Sequence, residues 1–129
     1  MAHPNEELTR RGLDAFSKGD LSALDDLFDE NIVWHVGGRS PLSGDYRGRQ
    51  EVYGFFGKTM ELSGGSFRLD VHDVLANDDH VVVLSTAHAE RGGKTLDNNG
   101  IQVLHVADGK VVESWLHPAD QYETDDFWS

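Results

Sequence analysis

Cysteine is absent from this sequence, so disulfides, thiolate metal sites and a cysteine nucleophile are all excluded. Basic residues are few: 11 lysines and arginines stand against 23 aspartates and glutamates, which gives a formal net charge of -12. A field of that sign repels phosphate backbones and anionic membrane surfaces. We therefore expect neither nucleic acid nor a membrane as a partner.

Long apolar runs are also missing, since none approaches the roughly 20 residues of a membrane span. Residues 1–7 have no basic patch and no apolar core of signal-peptide length. These absences predict a cytoplasmic protein. A chain of 129 residues makes one ordinary domain, here predicted over residues 1–129, with room for one core and one pocket.

The first half of the chain has the apolar spacing of helices. A helix is predicted from about Asn5 to Ser17, and Asp20 is a suitable N-cap for a second helix that reaches Phe28. A short apolar strand is predicted at Ile32 to Val36, and a third helix at Gly48 to Leu62.

After residue 65 the apolar period changes from 3.6 to 2, which is typical of half-buried strands. Two hairpins are predicted, one turning at residues 77–79 and the other at Asp108-Gly109, a strong two-residue turn signal. The order of elements predicts an α+β fold in which three N-terminal helices pack on one face of a curved, mostly antiparallel sheet. A central pocket between helices and sheet is the expected ligand site.

The turn at Asp108-Gly109 pairs Ala107 with Lys110 and so predicts which residues share a face of the sheet. In this register Gln102 lies opposite Trp115. A face that mixes aromatic, amide and imidazole groups is typical of a pocket wall. The other face is apolar enough to need cover, which we expect from a second copy of the chain in a homodimer. The predicted pocket face carries Gln102, Leu104, Glu113, Trp115 and His117.

Residues 32–49 join an apolar strand to a loop rich in glycine and serine and then to a helix. Trp34 and His35 are adjacent, and strand alternation lets only one of them face a cavity. A strand that delivers a histidine to the mouth of a loop is a common way to build a small-molecule site. A turn at residues 78–79 would place His88 on the apolar face with Leu69, whereas a turn at residues 77–78 would reverse that assignment.

Trp34-His35, followed by residues 43–48 (Ser-Gly-Asp-Tyr-Arg-Gly) before a helix, resembles the SnoaL-like branch of the ketosteroid-isomerase-like superfamily. Residues 109–115 (Gly-Lys-Val-Val-Glu-Ser-Trp) and Asp120 extend the likeness over nearly the whole chain. This superfamily of cone-shaped domains includes nuclear transport factor 2. The resemblance implies a cone-shaped fold and an isomerase or cyclase that needs no organic cofactor. It also implies the alternative of a non-catalytic binder, because the fold hosts both.

By this resemblance the general base of the isomerases aligns with His35, and the acid of their oxyanion hole aligns with Gln102. Their tyrosine of the first helix falls near Arg11, and this helix has no tyrosine, which argues against steroid isomerisation itself. The acid/base aspartate of the cyclases lies close to Asp120. A neutral imidazole can accept a proton near neutral pH, and an amide can polarise a carbonyl oxygen. The implied catalytic residues are His35, Asp120 and Gln102, and the predicted ligand contacts are Trp34, Tyr46, Phe56, His88, Leu104, Trp115 and His117.

We predict proton transfer on a small, apolar, carbonyl-bearing molecule, polyketide-like or steroid-like. The alternatives are a binder without catalysis and a structural dimer whose cavity is filled by side chains. An open cavity with an isolated histidine or aspartate favours the enzyme, and an open cavity without one favours the binder. A zinc site of His35, His88, His117 and Asp120 would depend wholly on the fold, because no pair has ligand spacing. We therefore predict no metal.

Overall fold

The computed structural model describes residues 2–129 and begins with the helices that the sequence predicts. Helix α1 (Pro4–Lys18) has a proline in its first turn and ends at Gly19, which takes the left-handed conformation at φ 67°. Helix α2 (Leu21–Leu27) is capped by Asp20, whose side chain accepts a hydrogen bond from the Ala23 N–H. Helix α3 (Gly48–Leu62) has the predicted bounds. All three helix predictions are confirmed.

Six strands form one sheet in the order β2-β1-β6-β5-β4-β3. The neighbouring strands β1 and β6 are parallel, and every other pair is antiparallel. The α+β class and the mostly antiparallel sheet are therefore confirmed. The strands are β1 (Phe28–Val36), β2 (Gly44–Arg47), β3 (Arg68–Ala76), β4 (His80–Arg91), β5 (Lys94–Ala107) and β6 (Lys110–Pro118).

Strand β1 begins at Phe28, four residues before the predicted Ile32. Two further elements differ from the prediction. The short edge strand β2 lies in a segment that the sequence predicts as loop, where it pairs with the end of β1. The acidic C-terminal segment forms a fourth helix, α4 (Gln121–Trp128), which brings the helix count from three to four. Helix α4 forms because Asp120 caps its first turn and because Phe127 and Trp128, at its end, are buried.

A β-bulge in β6 shifts the register of the second hairpin. Ala107 pairs with Lys110 as predicted, but Val112 is an extra residue, so His105 pairs with Glu113. From there Gln102 lies opposite Leu116, and Trp115 lies opposite Val103. The prediction that Gln102 and Trp115 share the pocket face is wrong, because a shift of one residue turns the side chains of one strand to the other face.

An extra residue also shifts the register of the first hairpin. Its turn is at residues 77–80, with the Asn77 N–H donating to the His80 carbonyl, but an extra residue at His72 shifts the register beyond it. Leu69 therefore pairs with Ala87, and His88 pairs with Arg68. The prediction that His88 lies on the apolar face is wrong for the same physical reason.

Two rows of paired residues show how the sheet separates its faces. One row crosses the helix-covered inner face through Val81, Leu104, Ser114 and Trp34, all of which are buried. The neighbouring row crosses the outer face through Leu75, Val82, Val103, Trp115 and His35. The apolar core lies between the inner face and the helices, so the expected cavity is formed there.

Candidate functional site

A cavity of about 200 Å³ lies between the inner face of the sheet and the four helices. Its walls are largely aromatic and aliphatic. Phe56 stands at their centre, with its ring centroid 5.2 Å from that of Trp34 and 5.0 Å from that of Phe16. The cavity is open rather than filled by side chains. This does not fit the alternative of a structural dimer whose cavity is filled. Its lining includes Phe16, Trp34, Phe56, Leu96, Leu104 and Trp128.

Few polar side chains interrupt this apolar lining. Gln102, on β5, donates from Nε2 to the hydroxyl oxygen of Ser114 at 3.0 Å, and Ser114 is completely buried. Asn98 lies two alternations along the same strand and donates to helix α4. The indole Nε1 of Trp34 is buried and has no hydrogen-bond partner among the described residues. The cavity therefore offers a small number of hydrogen-bonding groups and large apolar surfaces.

Charge is almost absent from the lining. Among the lining residues that the structure describes there is no aspartate, glutamate, lysine or arginine. His117 is the one titratable residue among them. It is exposed at the end of β6 opposite Ile101, and alternation from Trp115 assigns it to the outer face, so it borders the cavity rather than standing inside it. Of the predicted site residues, Trp34, Phe56, Gln102 and Leu104 line the cavity, His117 borders it, and the other five lie elsewhere.

His35 lies on the outer face, opposite the cavity, because Trp34 takes the inward position of the alternating strand. Its Nδ1 is 2.7 Å from Oδ1 of Asp45, and its Nε2 is 2.6 Å from Oε2 of Glu113. Hydrogen bonds to Glu113 and then Asp45 raise the pKa of the imidazole. The expectation that His35, rather than Trp34, faces the cavity is wrong, so the geometry gives it no access to a bound ligand.

Trp115 accompanies His35 on the outer face. The two rings are stacked, with centroids 5.2 Å apart and planes 20° apart. His105 contacts the other side of this cluster, with its ring centroid 4.7 Å from that of Trp115. The predicted ligand contact of Trp115 is therefore wrong, and the bulge in β6 is the cause.

Asp120 is the N-cap of α4 rather than a cavity group. Its Oδ1 accepts a hydrogen bond from the Glu123 N–H at 3.0 Å, which satisfies a free donor of the first helical turn. The residue is exposed and is not part of the cavity lining. The expectation that its carboxylate acts on a ligand in the cavity is not supported by this placement.

Tyr46 and His88 also lie away from the cavity lining. The Tyr46 hydroxyl donates to the Leu42 carbonyl at 2.7 Å, and burial raises the pKa of this phenol. It anchors the loop between β1 and β2. His88 has its Nε2 2.9 Å from Oδ2 of Asp70 on the outer face. Their predicted ligand contacts are not found.

The residues described by the structure contain no group of three or more His, Asp or Glu side chains that could hold a metal ion. His35 and His88 lie on the outer face beside their own carboxylates, whereas His117 borders the cavity, so the zinc hypothesis is wrong. Within the described range no helix is long and apolar enough to cross a membrane.

Asn98 is a polar cavity residue that the sequence patterns did not indicate. It lies in the segment Asp97-Asn98-Asn99-Gly100, whose composition is typical of a turn, yet this segment belongs to the long strand β5. The signal that would have found it is the alternation of Leu96, Asn98, Gln102 and Leu104 on one face.

The fold and cavity define a cone-shaped α+β domain with an apolar cavity between helices and sheet. Residues 9–114 match the family model of the SnoaL-like domain, and the chain belongs to that family. The predicted superfamily is thereby confirmed.

Several known proteins are similar to this chain over nearly their whole length. The uncharacterized protein Rv0034 of Mycobacterium tuberculosis is 32% identical, and the match covers 95% of each chain. The structure of Bal32a, from a soil-derived mobile gene cassette, is 40% identical with a TM-score of 0.94 and covers 98% of this chain and 97% of that one. IdmH of Streptomyces antibioticus, a putative polyketide cyclase, is 21% identical with a TM-score of 0.74 and covers 92% and 93%.

Proposed function

We propose that this domain binds a small, uncharged and largely apolar molecule in its cavity. The observation that carries the proposal is the lining, which is aromatic and aliphatic, with a few hydrogen-bonding groups and no carboxylate or basic side chain other than His117. An apolar surface with a few polar groups is the usual composition of a small-molecule site. A charged ligand would be buried without a partner of opposite charge, which is strongly unfavourable.

The cavity volume limits the size of the ligand. At about 200 Å³ the space is below the 300–1,000 Å³ of sites for drug-sized molecules, and above the roughly 150 Å³ of an apolar cavity that binds benzene. A molecule of one or two rings fits this range. A four-ring steroid would require the walls to move.

Native mass spectrometry of the purified full chain tests this proposal. The mass of the native protein is measured directly after its purification from an expression host. It is measured again after incubation with a panel of neutral one- and two-ring aromatic compounds. We expect a complex of one small molecule per chain, which is lost when Phe16→Trp reduces the cavity. If no neutral compound is retained or bound at micromolar to millimolar concentration, the proposal fails.

The second candidate is an enzyme that transfers a proton on a carbonyl-bearing ligand. It is favoured by Gln102 in the lining, an amide that can polarise a carbonyl, and by His117 at the border of the cavity, an imidazole that can accept a proton. The likeness to a putative polyketide cyclase agrees with this chemistry at the level of fold. In this reading His117 takes the acid/base role that the sequence assigned to His35 or Asp120.

Exchange of ligand C–H protons in D₂O separates the two candidates. A bound ketone whose α-protons exchange faster with the wild type than with His117→Ala supports the enzyme. His88→Ala is the matched control, because that histidine lies away from the cavity. Equal exchange with all three proteins, in the presence of measured binding, supports the binder.

A further inference from the structure

The side chain of Asn98 is held in one orientation by the last helix. Asn98 is 7% exposed on the inner face of β5. Its Nδ2 lies 2.8 Å from the backbone oxygen of Asp120 and 2.8 Å from the hydroxyl oxygen of Thr124. A primary amide has two N–H donors, and both are used by these contacts.

The chemistry of the partners fixes which end of the amide faces the helix. A backbone carbonyl can only accept a hydrogen bond, so the nitrogen of Asn98, and not its oxygen, must point at Asp120. Because the amide cannot be reversed, Oδ1 is the atom left for the cavity side. This oxygen accepts no hydrogen bond from any described residue.

The residues beside Oδ1 supply no hydrogen-bond donor to it. Asn98 pairs with Ala87 on the next strand, and Leu96 lies beside it on the same face, so the neighbouring lining is apolar. Oδ1 is not among the buried polar atoms without a partner, so it is open to the cavity. A ligand that excludes water from the cavity would leave this acceptor without a donor unless the ligand brings one, and an unpaired buried acceptor is unfavourable.

We propose that Asn98 determines ligand specificity by accepting a hydrogen bond from a hydroxyl or N–H group of the molecule in the cavity. This inference rests on the proposed function, since it requires the cavity to bind a small uncharged molecule. It narrows the ligand class to hydroxylated or amino-substituted rings.

The rest of the strand supports a ring placed beside Asn98. Gly100 follows on the same face and has no side chain, and Gln102 is the next polar group. Alternate residues of a strand are separated by about 7 Å, so Asn98 and Gln102 are about two such steps apart along β5. The ring lies over Gly100 with its donor toward Asn98.

A pair of nearly isosteric probes tests the proposal with the full chain. 2-Naphthol carries a hydroxyl where 2-methylnaphthalene carries a methyl group. Their dissociation constants are measured for the wild type, for Asn98→Leu and for Asn5→Leu. Asn5 is the matched control, because its buried amide also donates to two oxygens, the carbonyls of Asn77 and Asp78, and it does not line the cavity.

We expect Asn98→Leu to reduce the preference for 2-naphthol over 2-methylnaphthalene by about 3- to 10-fold, the value of one neutral hydrogen bond. Asn5→Leu should leave the preference unchanged. If both probes bind and Asn98→Leu does not change their ratio, the role of Asn98 is overturned while the proposed function stands. If neither probe binds the wild type, the proposed function fails, and the inference about Asn98 fails because it rests on that function.

A second measurement covers the case in which Asn98→Leu does not fold. In the wild type, 2-naphthol should shift the side-chain carbonyl carbon resonance of Asn98, and 2-methylnaphthalene should leave it in place. Equal shifts with both probes would contradict a hydrogen bond at Oδ1.

Discussion

His35 and Glu113 meet on the outer face of the sheet, with Nε2 of the imidazole 2.6 Å from a carboxylate oxygen. The other ring nitrogen lies 2.7 Å from Asp45. An ionised carboxylate can only accept hydrogen bonds, so the imidazole satisfies both partners only in its protonated, cationic form, the form that the raised pKa favours. The stacked ring of Trp115 lies against this cation, an arrangement that the aromatic quadrupole favours.

The first prediction concerns pH. The contacts with Glu113 and Asp45 raise the pKa of His35 in the folded state above its unfolded value of about 6.5. Their stabilisation is therefore complete below pH ~6.5 and is lost as the pH rises through the folded pKa. We expect His35→Gln to lower the free energy of unfolding by about 1 kcal/mol at pH 6, with a smaller difference at pH 9. Urea denaturation at both pH values measures this.

Glu113→Gln provides the control for that prediction. It removes the negative charge of the largest contributor to the raised pKa, so the ring of His35 should titrate at a lower pH than in the wild type. An NMR titration in which both proteins give the same His35 pKa would contradict the interpretation.

A side chain at Gly38 is predicted to destabilise the fold. Gly38 has φ 88°, in the left-handed region that favours glycine, and an added Cβ would collide with the side chains of Asp125 and Gln121 on α4, which would have to move. The loop is also fastened there by the Arg39 N–H, which donates to Asp125 at 3.0 Å. Gly38→Ala should lower the free energy of unfolding by about 1–3 kcal/mol.

The neighbouring Gly37 supplies the comparison for Gly38. A Cβ at Gly37 would meet Gln121 at an ordinary 3.7 Å, so Gly37→Ala should change stability by less than about 1 kcal/mol. Equal losses for the two alanine variants, measured by thermal unfolding, would show that contact with α4 is not the cause.

The helices could be predicted from the sequence because their determinants are local. Asp20 is a capping residue before an apolar period, and α3 follows from Gly48 and the helical spacing of its apolar residues, Val52, Phe55, Phe56 and Met60. The registers of the two hairpins could not be predicted from the sequence, although the positions of both turns could. Each hairpin contains one extra residue, His72 or Val112, and neither has a composition that signals a bulge.

The same bulges explain how much of the site could be predicted. Gln102, Leu104 and Trp34 belong to the cavity by simple alternation within their own strands. Trp115 was predicted in the cavity from cross-strand pairing, and one extra residue moved it to the outer face. The orientation of the Asn98 amide depends on the contact of α4 with β5, a long-range relationship that no local pattern contains.

Asp120 is predicted to act on stability through its cap. Asp120→Ala removes the acceptor for the Glu123 N–H and should lower the free energy of unfolding by about 0.5–2 kcal/mol. Asp120→Ser retains a capping oxygen and should restore most of the loss. Chemical denaturation measures both, and a serine variant as unstable as the alanine variant would contradict the role of the cap.

Phe56 is predicted to be the most costly aromatic residue to truncate. Its ring lies against five others, those of Phe16, Phe28, Trp34, Tyr53 and Phe55. Phe56→Ala should cost about 3–5 kcal/mol and enlarge the ligand cavity. Tyr122→Ala is the aromatic control, because that residue is 89% exposed and should change stability by less than about 0.5 kcal/mol.

Homodimerisation through the outer face remains a prediction, and the paired rows make it testable. Val103 lies between Val82 and Trp115 in the outer row, while Leu75 and Ile101 are about half exposed on the same sheet. A stable dimer buries about 1,200–2,000 Å², so a charge at the middle of the row would be buried without a partner.

Val103→Glu should therefore convert a dimer into a monomer in size-exclusion chromatography with light scattering. Val103 does not line the ligand cavity, so binding of the small molecule should survive this change. Tyr122→Glu adds the same charge on α4, away from the outer row, and should leave the dimer intact. A wild type that is monomeric at the highest soluble concentration would contradict the prediction, because its exposed apolar row would then have no second copy to cover it.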